Sequence, residues 1–187
     1  RITMFDEDTG SEFKKALKEL TSQNMKGLIL DLRQNPGGFI NQCVDVADEL
    51  LDEGLVVYTE DNAKKREDYK SGKGKLEVPF VVLIDEGSAS ASEIVSGAVK
   101  DRKAGLLIGV KTFGKGLVQS IEQLKDGSGI KLTTQKYYTP NGISINKIGI
   151  QPDIEVKAPE PEEGQNPEDV KDVQLERAVA ELLKQIK

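Results

Sequence analysis

The segment GSASASE contains three serines whose hydroxyls could act as nucleophiles. Ser88, Ser90 and Ser92 follow the apolar run VPFVVLI and begin a small-residue pattern typical of a tightly packed helix. A serine at such a turn exposes its hydroxyl at the carboxyl edge of a sheet, where a helix N-terminus offers free N–H groups and favours negative charge. The segment therefore suits a nucleophile whose substrate passes through an oxyanion. The alternative, that the serines only cap the helix, stays open at this point.

The base for such a serine is restricted by composition, because the chain contains no histidine. A Ser–His–Asp triad, a Cys–His dyad and any histidine-ligated metal site are therefore excluded. A lysine base is the remaining candidate, and Lys115 in the segment FGKGL has glycines on both sides and apolar neighbours. To be neutral, its amine would need its pKa lowered from ~10.4 to about 7 by burial. The alternative is an ordinary solvated lysine.

Two further features could complete such a site. Gln119 would share a strand face with Lys115 and could hold its amine by hydrogen bonding. The segment DLRQNPGG, at the end of a predicted strand, presents backbone N–H groups, one of which could contribute to an oxyanion hole. Neither the P-loop pattern nor G-x-G-x-x-G is present, so phosphate binding is less favoured.

Charge and cysteine content narrow the classes of partner and cofactor. The net formal charge is −6 with both signs intermixed, so no nucleic-acid partner is expected. Cys43, the single cysteine, lies in an apolar helical pattern and is predicted to be a buried, inert thiol. No cofactor or metal is implied.

The elements that must position these residues follow an α/β pattern. Hydrophobic periodicity predicts helices over 11–24, 39–53 and 88–99, strands over 27–32, 55–58, 78–84 and 106–110, and a hairpin formed by 117–124 and 130–138. The order strand, glycine loop, helix, strand from 27 to 58 predicts a βαβ unit, and 78–84 is predicted to be a central strand covered on both faces. Residues 61–75 are predicted to be an exposed loop or irregular hairpin.

We divide the chain into a catalytic core, 1–157, an acidic and proline-rich linker, 158–169, and a C-terminal amphipathic helix, 170–187. Apolar residues of this helix recur at i, i+4, i+7 and i+11. The helix is expected either to fold back on its own domain or to pair with a second subunit as a homodimer. The residues of this predicted apolar face are Leu175, Val179, Leu182 and Ile186.

Together these segments resemble the carboxyl-terminal processing peptidases, or tail-specific proteases, of family S41. The resemblance covers about Gly27 to Asp153, through LDLRQNPGG, VPFVVLIDEGSASASEI, GVKTFGKGLVQ and KYYTPNGISINKIGIQPDI. It implies an α/β core of the crotonase and ClpP type, with a mixed sheet flanked by helices and extended by the hairpin and the C-terminal helix.

The resemblance also implies residue roles. Ser90 would be the nucleophile, Lys115 the general base and Gln119 its orienting partner. The backbone N–H groups of Gly38 and Ala91 would form the oxyanion hole. The implied activity is a serine endopeptidase that cleaves proteins at or near their C-terminal tails, with the substrate bound as an added β-strand.

Family members carry a PDZ domain upstream of this core, and residues 1–5 resemble the interior of a β-strand, so we expect a piece of a longer protein. The family's usual location is outside the cytoplasm, in the periplasm, the cell envelope or the thylakoid lumen. Two alternatives stay open: a non-catalytic binder of peptides or hydrophobic ligands, and acyl-CoA chemistry by analogy with the crotonase fold.

Overall fold

The computed structural model describes residues 1–74, 76–159 and 170–186. No helix among these residues is long and apolar enough to cross a membrane. Helices and strands alternate in the N-terminal part of the chain, and the strands form one parallel and one antiparallel sheet. The elements are α1 Thr9–Ser22, β1 Leu28–Asp31, α2 Ile40–Leu50, β2 Gly54–Asp61, β3 Arg66–Ser71, β4 Phe80–Ile84, α3 Ala91–Asp101, β5 Leu106–Gly109, β6 Leu117–Gln123, β7 Gly129–Tyr138, β8 Ile154–Glu155 and α4 Val173–Leu183.

The parallel sheet has the strand order β1-β4-β5-β8. Every residue of β4 is buried, as predicted for the most continuous apolar run of the sequence. A strand covered on both faces has no solvent-facing positions, so it shows no alternation of apolar and polar residues. The loops that follow β1, β4 and β5 all lie at the carboxyl edge of this sheet, where α/β proteins place their sites.

The antiparallel sheet has the order β3-β2-β7-β6. The predicted α/β class with flanking helices is confirmed, but these strands form a sheet of their own and do not extend a single mixed sheet. The predicted βαβ unit is wrong, because β2 pairs with β3 and β7, and the neighbour of β1 is β4. The fully apolar β4 takes the interior place beside β1, whereas the half-exposed β2 suits a sheet with one face open to solvent.

The N-terminal residues contact the first glycine loop but form no strand. Phe5 is buried and makes an isolated parallel bridge with Gly38. Its N–H donates to the carbonyl of Gly37, and its own carbonyl accepts the N–H of Phe39. The prediction that residues 1–5 resemble the interior of a strand therefore corresponds to this single bridge.

Helix α4 packs against the outer face of the parallel sheet, so it folds back on its own domain. Its buried apolar residues, Ala178 and Leu182, join Val81, Leu83 and Ile108 in a second hydrophobic cluster. The predicted apolar face was partly wrong, because Leu175 and Val179 are exposed. Most of the predicted linker, 160–169, lies outside the described residues.

Arg33 ties the start of α4 to the end of β1. Its guanidinium donates to the carboxylates of Asp31 and Asp172, at 2.8–2.9 Å, and also to the side chain of Gln174. Hydrogen bonding to Arg33 lowers the pKa of Asp172, and it also lowers the pKa of Asp31 against the opposing effect of burial. Both carboxylates are therefore held in the charged form that the guanidinium binds.

The docking of α4 predicts unequal effects at two adjacent leucines. Leu182 is 7% exposed and Leu183 is 63% exposed. We expect Leu182→Ala to lower the free energy of unfolding by about 2–4 kcal/mol, because it removes buried methyl groups and leaves a cavity against the sheet. The matched control Leu183→Ala should change it by less than about 0.5 kcal/mol. Equal effects in urea unfolding would contradict this docking of α4.

Candidate active site

Ser90 lies at the turn between β4 and α3, at the N-cap position of the helix. Its backbone has φ 55° and ψ −114°, in a region that residues other than glycine rarely occupy. Such strain persists only where surrounding contacts hold the turn, and strained strand-to-helix turns present nucleophilic serines in other hydrolases. The Ser90 residue is half-buried, so its hydroxyl is held by the fold and still reachable.

The carboxylate of Glu93 holds this turn against the lysine-bearing loop. Glu93 is fully buried. One of its oxygens accepts hydrogen bonds from the backbone N–H groups of Ser90, at 2.9 Å, and Lys115, at 2.8 Å. The other accepts from the N–H of Gly114, at 2.7 Å, and the hydroxyl of Thr112, at 2.6 Å. One carboxylate thus fixes the backbone at both the candidate nucleophile and the candidate base.

Sequence reasoning did not single out Glu93 or Thr112. The spacing Ser-x-x-Glu is a capping-box signal, and it could have indicated the contact between Glu93 and the N–H of Ser90. No local pattern indicates the bonds from Gly114, Lys115 and Thr112, because these residues reach Glu93 only through the tertiary fold.

The glycine loop after β1 is joined to the serine turn by Asn35. The Asn35 carbonyl accepts the N–H of Ala89, at 2.9 Å, and the hydroxyl of Ser92, at 3.0 Å. The Asn35 side chain accepts the N–H of Gly37, at 2.9 Å. Ser92 is therefore a structural residue here, since its hydroxyl is committed to the loop.

Gly37 and Gly38 each allow a close approach that a residue with a Cβ would block, Gly37 to the serine turn and Gly38 to the backbone of Phe5. Gly37 has φ 103°, and a Cβ there would lie 2.7 Å from the Cβ of Ser90 and 2.9 Å from the nitrogen of Ala91. Gly38 has φ 148°, and a Cβ there would collide with the carbonyl of Phe5. Among the described residues, no acceptor is found for the N–H of Gly38 or of Ala91. Both groups are thus available to an oxyanion.

All five residues proposed from the sequence line one open cavity of about 390 Å³. Its remaining walls are mainly apolar, and they include Ile40, Ile94 and Leu117. The serine therefore lies beside apolar surface. The predicted residues at the cavity are Gly38, Ser90, Ala91, Lys115 and Gln119.

Lys115 is half-buried, less enclosed than the predicted base required. In the described part of the chain no carboxylate lies within ion-pair distance of its amine. Gln119 is exposed, and no hydrogen bond joins its side chain to Lys115 among these residues. Because β6 begins at Leu117, Lys115 precedes the strand, and the predicted shared strand face does not extend to it.

A serine, an amine and two backbone N–H groups that have no carboxylate partner or acceptor among the described residues can supply the nucleophile, the base and the oxyanion donors of acyl transfer. Comparison with known proteins gives the same class. Residues 1–156 match the sequence profile of Peptidase family S41. The chain belongs to this family, which is a family of serine proteases.

Two relatives are named for processing at the carboxyl terminus. The chain is 42% identical over 158 residues to the chloroplastic C-terminal processing peptidase of Tetradesmus obliquus, covering 83% of the chain and 34% of the relative. It is 46% identical over 169 residues to the carboxy-terminal-processing protease of Bartonella bacilliformis, covering 87% of the chain and 39% of the relative. The chain therefore spans little more than a third of the length of these relatives.

Solved structures support the fold. A photosystem II D1 C-terminal processing protease matches with a TM-score of 0.78 at 42% identity, over 84% of this chain and 41% of that one. An S41 protease of Bacteroides fragilis also matches with a TM-score of 0.78, at 16% identity, over 97% of this chain and 53% of that one. The second likeness concerns the fold alone.

Replacing the buried carboxylate tests its role in holding the two loops. We expect Glu93→Gln to lower the free energy of unfolding by about 2–4 kcal/mol, because whichever way the amide is turned its NH₂ would face at least one backbone N–H that now binds a carboxylate oxygen. Urea unfolding measures this loss. The control Glu86→Gln removes an exposed carboxylate of the same turn and should be nearly neutral. Equal stability of the two variants would contradict the role given to Glu93.

Proposed function

We propose that this chain is the catalytic core of a serine endopeptidase that uses Ser90 and Lys115 to cleave protein substrates at or near their C-terminal tails. The observation that carries the proposal is the cavity that Ser90, Lys115, Gly38 and Ala91 line together, where the described residues provide no carboxylate partner for the Lys115 amine and no acceptor for the N–H groups of Gly38 and Ala91. Family membership and the names of the relatives support the reaction class.

In the proposed reaction, neutral Lys115 accepts the proton of the Ser90 hydroxyl as Oγ attacks the scissile carbonyl carbon. The carbonyl oxygen becomes an oxyanion and accepts hydrogen bonds from Gly38 and Ala91. Lys115 returns the proton to the leaving amine, and an acyl-enzyme ester on Ser90 remains. Water then attacks the ester with Lys115 again acting as base, which releases the new carboxyl terminus and restores Ser90. Gln119, at the same cavity, would orient the lysine amine.

A peptide substrate would bind as an added strand along β6. In the described part of the chain β6 pairs on one side only, with β7, so its other edge has backbone groups free to pair. β6 begins two residues beyond Lys115, so a strand paired with this edge would pass the cavity. Backbone pairing recognises an extended chain and makes modest demands on its side chains.

Regulation and location are also proposals. The resemblance to the family supports a PDZ domain upstream that captures the substrate tail, and a location outside the cytoplasm. The name of the Tetradesmus relative places that protein in the chloroplast. A homodimer through α4 is supported by its exposed apolar residues, Leu175, Val179 and Leu183.

Substitution of the two reacting residues tests the proposed function. We expect Ser90→Ala and Lys115→Ala each to lower the rate of hydrolysis of an unstructured protein substrate by about 10³-fold or more, because each removes a group that handles the reacting proton. Gln119→Ala should cause a smaller loss. Lys111→Ala, which removes an exposed amine from the same loop, is the matched control and should leave the rate unchanged.

A fluorophosphonate probe, which forms a covalent bond with an activated serine, gives an independent readout. Mass spectrometry should locate the label on Ser90 in the wild type and find none in Ser90→Ala. Full hydrolysis by Ser90→Ala would sink the proposal. An unlabelled wild type that does not cleave substrate with its upstream module present would also sink it, and would favour a non-catalytic peptide binder.

A further inference from the structure

The hydroxyl of Tyr137 is buried at the candidate active site without a hydrogen-bond partner. Tyr137 is 2% exposed, and its Oη is one of two buried side-chain oxygens that lack a partner in the described part of the chain. Buried phenols usually find an acceptor, because leaving one unpaired forfeits the hydrogen bond that the group had with water. Within the described residues, the Tyr137 hydroxyl is therefore free to donate a hydrogen bond to another group of the site.

The location of Tyr137 identifies that partner. Tyr137 and Ser90 line the same cavity. Burial raises the pKa of Tyr137, and the Ser90 side chain, lying beside the phenol, acts in the opposite direction through hydrogen bonding. As the side chains stand, Tyr137 Oη has no hydrogen-bond partner in the described part of the chain, so the bond to Ser90 is not yet formed. Rotation of the Ser90 side chain about one bond is the smallest movement that can complete it.

The ring of Tyr137 cannot move to supply this contact, so the movement falls to the serine. Its backbone is fixed in β7, where its N–H donates to the carbonyl of Gly116 at 3.2 Å and its Cα is in register with Thr59. Its ring belongs to the main hydrophobic core. Tyr137 is therefore a rigid part of the cavity wall.

We propose that Tyr137 is a further catalytic residue of this site, whose hydroxyl donates a hydrogen bond to the Oγ of Ser90 as that oxygen attacks the substrate. The proposal rests on Ser90 being the nucleophile. The Tyr137 proton stays on the phenol throughout. The Ser90 proton goes to Lys115, and Oγ forms its bond to the carbonyl carbon.

Burial keeps the phenol in the protonated form that such a donor requires, since desolvation disfavours the phenolate. The hydroxyl oxygen of serine has one proton to donate and two lone pairs. Ser90 can thus donate to the Lys115 amine and accept from Tyr137 at the same time. The bond from Tyr137 strengthens as negative charge develops on Oγ, because hydrogen bonds to charged oxygens are stronger than those to neutral ones.

The test removes only the hydroxyl, with Tyr137→Phe, and compares it with Tyr138→Phe. Tyr138 is the adjacent residue, and its ring stacks on Tyr58 with centroids 5.0 Å apart, outside the cavity lining. For Tyr137→Phe we expect the rate of fluorophosphonate labelling of Ser90 and the kcat for an unstructured substrate to fall about tenfold. KM should be unchanged, and the midpoint of thermal unfolding unchanged or higher. Tyr138→Phe should match the wild type in all of these.

The results that would overturn the proposed role of Tyr137 can be told apart from those that would refute the proposed function. Labelling of Tyr137→Phe within twofold of the wild type would overturn the role of Tyr137 and leave the proposed function intact. A loss of labelling accompanied by a clearly lower unfolding midpoint would assign Tyr137 a structural role only, and would also overturn the proposal. Failure of the wild type to label at Ser90 would instead refute the proposed function itself.

Discussion

The candidate active site depends on one buried anion. The carboxylate of Glu93 has no access to water, so its charge is tolerated only because four donors bind it. Those donors come from the serine turn and from the loop that carries Lys115. Displacing either loop would leave a buried charge short of partners, so the carboxylate fixes the two loops relative to each other. One of the four bonds is to the N–H of Ser90, so the carboxylate helps to hold the strained turn in place.

Around this anion, the fold assembles the remaining groups from distant segments. The loops after β1, β4 and β5 meet at the carboxyl edge of the parallel sheet, and there Asn35 joins the glycine loop to the serine turn. Phe5 supports the same loop from its other side, with hydrogen bonds that flank Gly38. The antiparallel sheet contributes the wall opposite, including Tyr137 and the free edge of β6. The proposed oxyanion hole consists of backbone N–H groups, so it depends on no particular side chain. The glycine loop can come close enough to the serine turn to contribute to it because glycine has no side chain.

Much of this arrangement could be predicted from the sequence. The apolar run of β4, the small residues after it and the glycines around Lys115 and Gly38 are local signals, and each segment occupies the expected place. Cys43 is buried, and burial raises the pKa of its thiol, as expected for an inert packing residue.

The partner of β2 could not be predicted from local sequence, because strand alternation indicates a half-exposed strand without indicating which neighbour it pairs with. The buried face of α4 was misjudged for a similar reason: Gln174 and Glu181 take buried positions through contacts that no hydrophobic pattern records. Glu93 and Tyr137 owe their importance entirely to tertiary contacts.

The central claim is that the serine turn, the glycine loop and the lysine loop form a single site for acyl transfer. A crystal structure of the chain with a peptide boronate, which bonds to an activated serine and mimics the tetrahedral intermediate, tests it most directly. We expect boron bonded to Oγ of Ser90, one boronate oxygen about 2.7–3.1 Å from the nitrogens of both Gly38 and Ala91, and the Lys115 amine next to Oγ. Boron attached elsewhere, or an oxygen directed to solvent with both N–H groups unoccupied, would contradict it.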